Sequence, residues 1–258
     1  MRKRFAAVKK PALPFCKPRR MKYPVFLDLD DTILDFHRAE DVALRKTLTS
    51  FGLTPTDAMV ARYSAINDAC WKRLERGEMT RDEVLTKRFA LFFDEMGVSC
   101  DPEETWRRYE ANIGEGGFLL AGARELLEEL SETYDLYAVS NGTATIQDKR
   151  IARADIARYF KAIFISQRVG YNKPDKRFFD LCFAELPPFD KTRTAIIGDS
   201  LTSDICGGKN AGIPTIWYNP HNHMAEDNLR PDYEVSSLDM IPLVLEMLLT
   251  SSNEDANG

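Results

Sequence analysis

Tyr23-Pro24-Val25-Phe26-Leu27-Asp28-Leu29-Asp30-Asp31-Thr32 runs from apolar strand formers straight into two carboxylates spaced i, i+2, then a third acid and a hydroxyl. Side chains on a strand alternate faces with period two, so Asp28 and Asp30 are expected on one side of its carboxyl end. A buried strand does not hold such charges unpartnered. A hard divalent cation with oxygen ligands is a natural partner for clustered carboxylates.

Outward from this strand the texture changes twice. From Asp35 to Phe118 no strand is evident, and helical spacing recurs near 38–50, 56–76, 80–96 and 102–113. Breakers separate these stretches: Gly52-Leu53-Thr54-Pro55, Gly77, Gly97 and Gly114-Glu115-Gly116-Gly117. Thr80-Arg81-Asp82-Glu83 reads as a capping box opening the third. Beyond Gly122, helices alternate with short apolar strands. The strands fall at Leu136–Ser140, Ala162–Ile165, Thr194–Asp199 and Pro214–Tyr218. Alternation of this kind predicts an α/β fold with a parallel sheet covered on both faces. The first strand belongs to that sheet, so the helical block is an insertion. The expected organisation is a disordered basic extension (1–21), a Rossmann-like core (22–34 and 119–248), a helical cap (35–118) and a disordered polar tail (249–258).

Bulk properties exclude several classes. Residues 1–20 carry eight basic side chains and no acid, so the net charge of −5 leaves −13 on the remainder of the 258 residues. That balance argues against a nucleic-acid-binding body. No apolar run approaches the ~20 residues of a membrane span. Three prolines interrupt the basic leader, which lacks a secretory apolar segment and reads as an extension ahead of Met21. The five cysteines (Cys16, Cys70, Cys100, Cys182, Cys206) are scattered without a C-x-x-C, a reduced, cytoplasmic pattern. His221-Asn222-His223 reads as a surface loop rather than a metal site.

In open parallel sheets ligands lie beyond the carboxyl ends of the strands. Three strands here end in Asp28/Asp30, Ser140-Asn141-Gly142 and Gly198-Asp199-Ser200. Each group has a natural role in phosphoryl transfer. Asp28 is the candidate nucleophile, attacking phosphorus to form an aspartyl-phosphate. Asp30 suits acid–base work on the leaving oxygen and on water. Asp199 offers a second carboxylate to a magnesium ion, and Asp204 fixes a metal-bound water or a neighbour. Ser140 and the backbone N–H groups of Asn141 and Gly142 can hold phosphate oxygens. Lys173, before Pro174, adds a fixed positive charge. Singly, each piece is commonplace: Asp-x-Asp occurs in calcium loops, Ser-Asn-Gly in turns and Gly-Asp-Ser at helix N-caps. Their order at alternating strand ends is not.

That order resembles the haloacid dehalogenase (HAD) superfamily, over about residues 22–245. The resemblance implies a Rossmann-like core with a helical cap inserted after the first strand. It also implies Mg2+ held by Asp28, the main-chain carbonyl of Asp30, and Asp199. The second acid of the first motif, Asp30, marks phosphotransferases rather than dehalogenases within that superfamily. Leu34-Asp35-Phe36, Ile66-Asn67 with Trp71, Arg76-Gly77-Glu78-Met79-Thr80 and Ser166-Gln167-Arg168-Val169-Gly170-Tyr171-Asn172-Lys173-Pro174 look like the YjjG-like pyrimidine 5′-nucleotidase subgroup. Phe36 and Trp71 could then stack on a base and Asn67 read its edge, or the same residues could pack the cap interior. The expected activity is a magnesium-dependent phosphomonoesterase acting on a small phosphorylated metabolite, with nucleoside 5′-monophosphates first. A sugar-phosphate phosphatase or phosphosugar mutase, and a non-catalytic binding protein, are the alternatives. No nucleic-acid polymer or membrane partner is expected, and the assembly state is a monomer or weak homodimer.

Overall fold

Six short apolar runs lie side by side, all parallel: β1 (Pro24–Leu27), β2 (Asp135–Ser140), β3 (Phe160–Ile165), β4 (Ala195–Gly198), β5 (Thr215–Tyr218) and β6 (Tyr233–Val235). The computed structural model describes residues 22–225 and 229–254, the last six through their backbone alone. The basic extension expected over 1–21 lies outside the described residues.

The strand order is β3-β2-β1-β4-β5-β6. The chain lays down β1, β2 and β3 to one side, then returns to add β4, β5 and β6 on the other, so the order reverses at β1. Such a reversal opens a crevice at the carboxyl ends of the central strands. Period-two alternation splits the core into two layers. Val25, Leu27, Ala138 and Ile197 face α5 (Ala123–Thr133) and α10 (Ile241–Glu254), which bring Leu127, Leu130, Ile241 and Leu245. Phe26, Val139 and Ile196 face Phe178, Phe179 and Cys182 of α8 (Lys176–Ala184), which follows the single-turn helix α7 (Ser166–Val169).

Between β1 and α5 the chain forms α1 (Phe36–Ser50), α2 (Asp57–Glu75), α3 (Arg81–Met96) and α4 (Pro102–Ile113), where the spacing places them. The four helices enclose a separate core, centred on Tyr63, Phe89, Phe92 and Tyr109. Tyr63 meets Phe89 at 5.1 Å and Phe92 at 5.6 Å, and Phe89 meets Tyr109 at 5.4 Å between ring centroids. Each such pair contributes about 0.5–1.5 kcal/mol beyond the area it buries. The capping box is present, with Thr80 Oγ1 accepting from the Glu83 N–H and the Glu83 carboxylate accepting from the Thr80 N–H. Gly97, at φ 63°, closes α3 in a left-handed conformation that a side chain would strain.

Two elements near the carboxyl end depart from the sequence expectations. β6 is a three-residue strand, below what periodicity registers. α10 continues to Glu254, past residue 249 where the polar composition places the start of a tail. Thr250-Ser251-Ser252-Asn253 contains neither Gly nor Pro, so nothing in it forces the helix to stop.

Candidate active site

Asp28 is the first residue beyond β1, yet its N–H still donates to Ile197 O at 2.9 Å, tying it to the end of β4. Its side chain follows Phe26 by two and points to the layer that holds Lys173. The Lys173 ammonium, 1 % exposed, donates to Asp28 Oδ1 at 2.5 Å, Asp204 Oδ1 at 2.6 Å and Val139 O at 3.1 Å. Its own loop is pinned by Asn141, whose Nδ2 donates to Lys173 O at 2.9 Å while Oδ1 accepts the Lys173 N–H at 2.8 Å.

Asp199 follows β4. Its N–H donates to Thr32 Oγ1 at 3.1 Å, and Trp217 Nε1 donates to its carbonyl at 2.7 Å. Asp204 sits in a single π-helical turn, Leu201–Ile205, that precedes α9 (Cys206–Ala211). A Cβ at position 198 would collide with the Asp204 carboxylate, so Gly198 is what lets that acid approach the strand end. Carboxyl oxygens of Asp28, Asp199 and Asp204 all lie within 4.8 Å of one another.

Charge in this cluster is out of balance. Burial pushes the carboxyl of Asp28 well above its ordinary value; Lys173 pulls it down, and Asp204 and Asp30 push it up. Asp199 is raised likewise, by burial first and then by Asp28, Asp204 and Asp31. Burial works against the Lys173 ammonium, but Asp204 and Asp28 outweigh it and hold its pKa above that of a free lysine. One ammonium therefore serves three carboxyls, and the remaining negative charge suits a hard cation.

Asp30 is held apart from this cluster by α6 (Ala144–Ala154). Arg150 pairs with its Oδ1, and Gln147 Nε2 donates to its Oδ2 at 2.8 Å. Gln147 and Arg150 stand at i, i+3 on one helical face, and Arg150 is 1 % exposed. Neither is apparent from sequence, where a polar pair on a helix ordinarily faces solvent.

A cavity of about 640 Å³ opens over these groups, between the sheet ends and the helical unit. Asp28, Asp30, Asn141, Gly142, Lys173, Asp199 and Asp204 line it from below. Phe36 and Trp71 line it from above, with Trp106 and Arg88. His223 is also among the lining residues, but the carboxylate cluster that could hold a metal among the described residues contains no histidine.

Three expected contacts are placed differently. Ser140 does not line the cavity: its Oγ accepts from Gln147 Nε2 at 2.8 Å and from the Gly142 N–H at 3.0 Å. The Gly142 N–H is thereby committed to Ser140 rather than pointed at a phosphate. Asn67 is buried behind the cavity wall, its Oδ1 accepting from Arg88 Nη1 at 2.5 Å and Trp71 Nε1 at 3.1 Å, its Nδ2 donating to Glu40 at 2.9 Å. Its oxygen is saturated and one N–H is committed, and the amide stands outside the cavity lining, so it is not placed to read a substrate.

The helical unit also holds the core directly. Arg81 Nη1 donates to the carbonyls of Asn141 at 2.8 Å and Gly142 at 3.0 Å, and its Nη2 to Ser166 Oγ at 2.5 Å and Asn172 Oδ1 at 2.7 Å. Glu75 accepts from Thr202 Oγ1 at 2.6 Å.

Fold and site together define a doubly wound α/β protein with a buried carboxylate–lysine centre at the switch point of its sheet. The chain belongs to the haloacid dehalogenase-like hydrolase family, whose profile matches residues 25–218. It is 39% identical over 228 residues to the HAD-hydrolase YfnB of Bacillus subtilis, covering 88% of this chain and 97% of that protein. It is 41% identical over 214 residues to pyrimidine 5′-nucleotidase PynA of Streptococcus pneumoniae, covering 83% and 90%. The crystal structure of YfnB bound to magnesium superimposes with a TM-score of 0.83 at 38% identity, over 87% of this chain and 98% of that one.

Proposed function

We propose that this protein is a divalent-cation-dependent phosphomonoesterase that hydrolyses nucleoside 5′-monophosphates through an aspartyl-phosphate. The observation that carries the reading is Asp28 itself, a buried carboxylate with one oxygen tied to Lys173. Among the described residues its Oδ2 accepts no hydrogen bond, so an oxygen remains to attack. Asp28 forms a bond to phosphorus as the bond to the leaving oxygen breaks, and Asp30 gives that oxygen its proton. Water then attacks the same phosphorus, Asp30 takes its proton, and the Asp28–phosphorus bond breaks to release inorganic phosphate. Arg150 and Gln147 fix Asp30 for both steps, and Lys173 orients Asp28.

Asp28, Asp199 and the main-chain carbonyl of Asp30 would hold Mg2+, with Asp204 supporting. A buried, oxygen-only donor set short of positive charge fits that ion, and a similar protein, YfnB, crystallised with magnesium. When bound, the cation offsets charge between the carboxylates and the phosphoryl oxygens.

The four helices over 35–118 would act as the cap, since Arg81 and Glu75 reach down from them to the strand-end loops. An aromatic upper wall of Phe36, Trp71 and Trp106 suits a planar leaving group better than a sugar, and PynA and YjjG bear the name pyrimidine 5′-nucleotidase. A phosphate-release screen with Mg2+ over nucleoside monophosphates and sugar phosphates tests this. Nucleoside monophosphates are expected to give the highest kcat/KM; sugar phosphates ahead of every nucleotide would defeat the nucleotide assignment.

The metal assignment has a test that does not depend on turnover. Carboxyls raised in the folded state retain protons that the unfolded chain releases. Their stabilising contribution is thus complete below the ordinary carboxylate range and is lost as pH rises through the raised values of Asp28 and Asp199. Metal-free protein should lose thermal stability over that rise, and Mg2+ should restore it by binding the ionised form. The increment in Tm on adding Mg2+ is expected to be larger at pH 8 than at pH 5. Equal increments at both would place the ion elsewhere.

A further inference from the structure

We propose that Arg81, on the helical unit, is a positioning residue for Lys173: it clamps the strand-end loops that hold this lysine, so that turnover depends on it. The inference rests on the phosphomonoesterase reading and adds what sets the geometry of the centre from outside it.

Arg81 opens α3 directly after the N-cap Thr80, and the capping box fixes its main chain. Glu83 is spent on Thr80 and Lys87, and among the described residues Arg81 forms no ion pair. Its guanidinium donates to neutral acceptors instead: the carbonyls of Asn141 and Gly142, the Ser166 hydroxyl and the Asn172 amide oxygen. These lie 60 to 91 residues further along the chain, in the loop after β2, at the start of α7 and just before Lys173. A planar fork of five N–H groups can grip several acceptors at once, which a lysine cannot do.

Holding a guanidinium in a partly dry site without an anion is costly. Burial accordingly lowers its pKa, with Asp82 opposing. Contact between the helical unit and the core does not by itself call for such a group. The positions of its acceptors do. Asn172 is the chain neighbour of Lys173. Asn141, whose carbonyl Arg81 holds, binds the Lys173 main chain with both ends of its amide, at 2.8 and 2.9 Å.

The Lys173 ammonium then divides itself between Asp28 and Asp204. Arg81 is thus two links from Asp28, through the asparagines and then through the lysine. It does not line the cavity, so its influence on a reaction there passes through these loops. Trp71, which does line the cavity, has its ring centroid 5.5 Å from the Arg81 Cζ and packs against the same guanidinium. A misplacement of about 1 Å at a reacting group costs about 10²-fold in rate, so a slack clamp is felt in turnover before it is felt in binding.

The test measures kcat and KM for UMP and p-nitrophenyl phosphate, with Mg2+, in wild type, Arg81→Ala, Arg81→Lys, Lys173→Met and the Arg81→Ala/Lys173→Met double variant. Amide hydrogen exchange of residues 141–143 and 171–175 is followed in the same proteins without metal. Arg81→Ala is expected to lower kcat about 10²-fold for both substrates alike, with little change in KM. Arg81→Lys, which keeps the charge but reaches fewer acceptors, should fall between Arg81→Ala and wild type. In the Lys173→Met background Arg81→Ala should cost only about twofold more, because both act through one group. Exchange should quicken at both segments in Arg81→Ala, a readout that needs no turnover. An arginine that only fastens the helical unit behaves otherwise. KM for UMP then rises, kcat for p-nitrophenyl phosphate holds, and the two losses multiply in the double variant. Any of those three results, or unchanged exchange at 171–175, would overturn the proposal. If wild type itself releases phosphate from no phosphomonoester, it is the phosphomonoesterase reading that has failed.

Discussion

Asp28→Asn is expected to lower kcat by at least roughly 10⁴-fold while leaving the protein folded. The amide matches the carboxylate in shape but carries no charge and is a poor nucleophile towards phosphorus. Stability should hold or rise in the metal-free protein. The substitution removes a buried carboxylate that repels Asp199 and Asp204, and Lys173 keeps Asp204 as a partner. Because the raised Asp28 carboxyl costs stability as pH rises, its removal should also flatten the fall of Tm between pH 5 and pH 8. Phosphate release and thermal melts on the same preparation decide the matter. Wild-type protein quenched in acid during turnover should carry a phosphoryl label that hydroxylamine removes, and Asp28→Asn should carry none. Near-normal hydrolysis by the variant would end the case for Asp28 as nucleophile.

The parts of this site that the sequence discloses are those that break a local rule. Asp28 and Asp30 stand out because a dry strand should not end in acids, and Asp199 repeats the anomaly on β4. The strands are visible for a related reason: buried on both faces, they read as continuous apolar runs. The residues that stay hidden break no rule. Gln147 and Arg150 sit on a helix where polar residues are ordinary, and only the packing of α6 against Gly116 and Asp30 turns them inward. Arg88 hides in the same way, among apolar neighbours on α3. Asn67 shows the opposite limit. Its residue type suits base reading, but the fold spends its amide on Arg88, Trp71 and Glu40. Chemistry at strand ends is thus legible one residue at a time, whereas contacts between the helical unit and the core depend on how helices far apart in sequence are set together.

Lys173→Met should produce the largest loss of stability of any single change at the site. Methionine preserves most of the stem, so packing changes little, while the ammonium between Asp28 and Asp204 disappears. Removing one partner from a buried ion pair costs about 3–5 kcal/mol, on the order of 10 °C in Tm for a chain of this size. Two titrations bear on how that loss varies with pH. Lysine's raised pKa means that its own contribution is complete below the ordinary lysine value and vanishes only in strong alkali, so its charge is constant between pH 5 and pH 8. The carboxyls left behind are the groups that respond. At pH 5 they can take up protons and shed the unpaired charge; at pH 8 that relief costs more. The Tm deficit of Lys173→Met relative to wild type, measured without metal, is therefore expected to grow from pH 5 to pH 8. Turnover should fall by about 10²–10³ as well, because Asp28, the proposed nucleophile, loses both its orientation and the positive charge beside it. A deficit that stays constant across this range would show that Lys173 acts through packing and that the electrostatic account of the centre is mistaken.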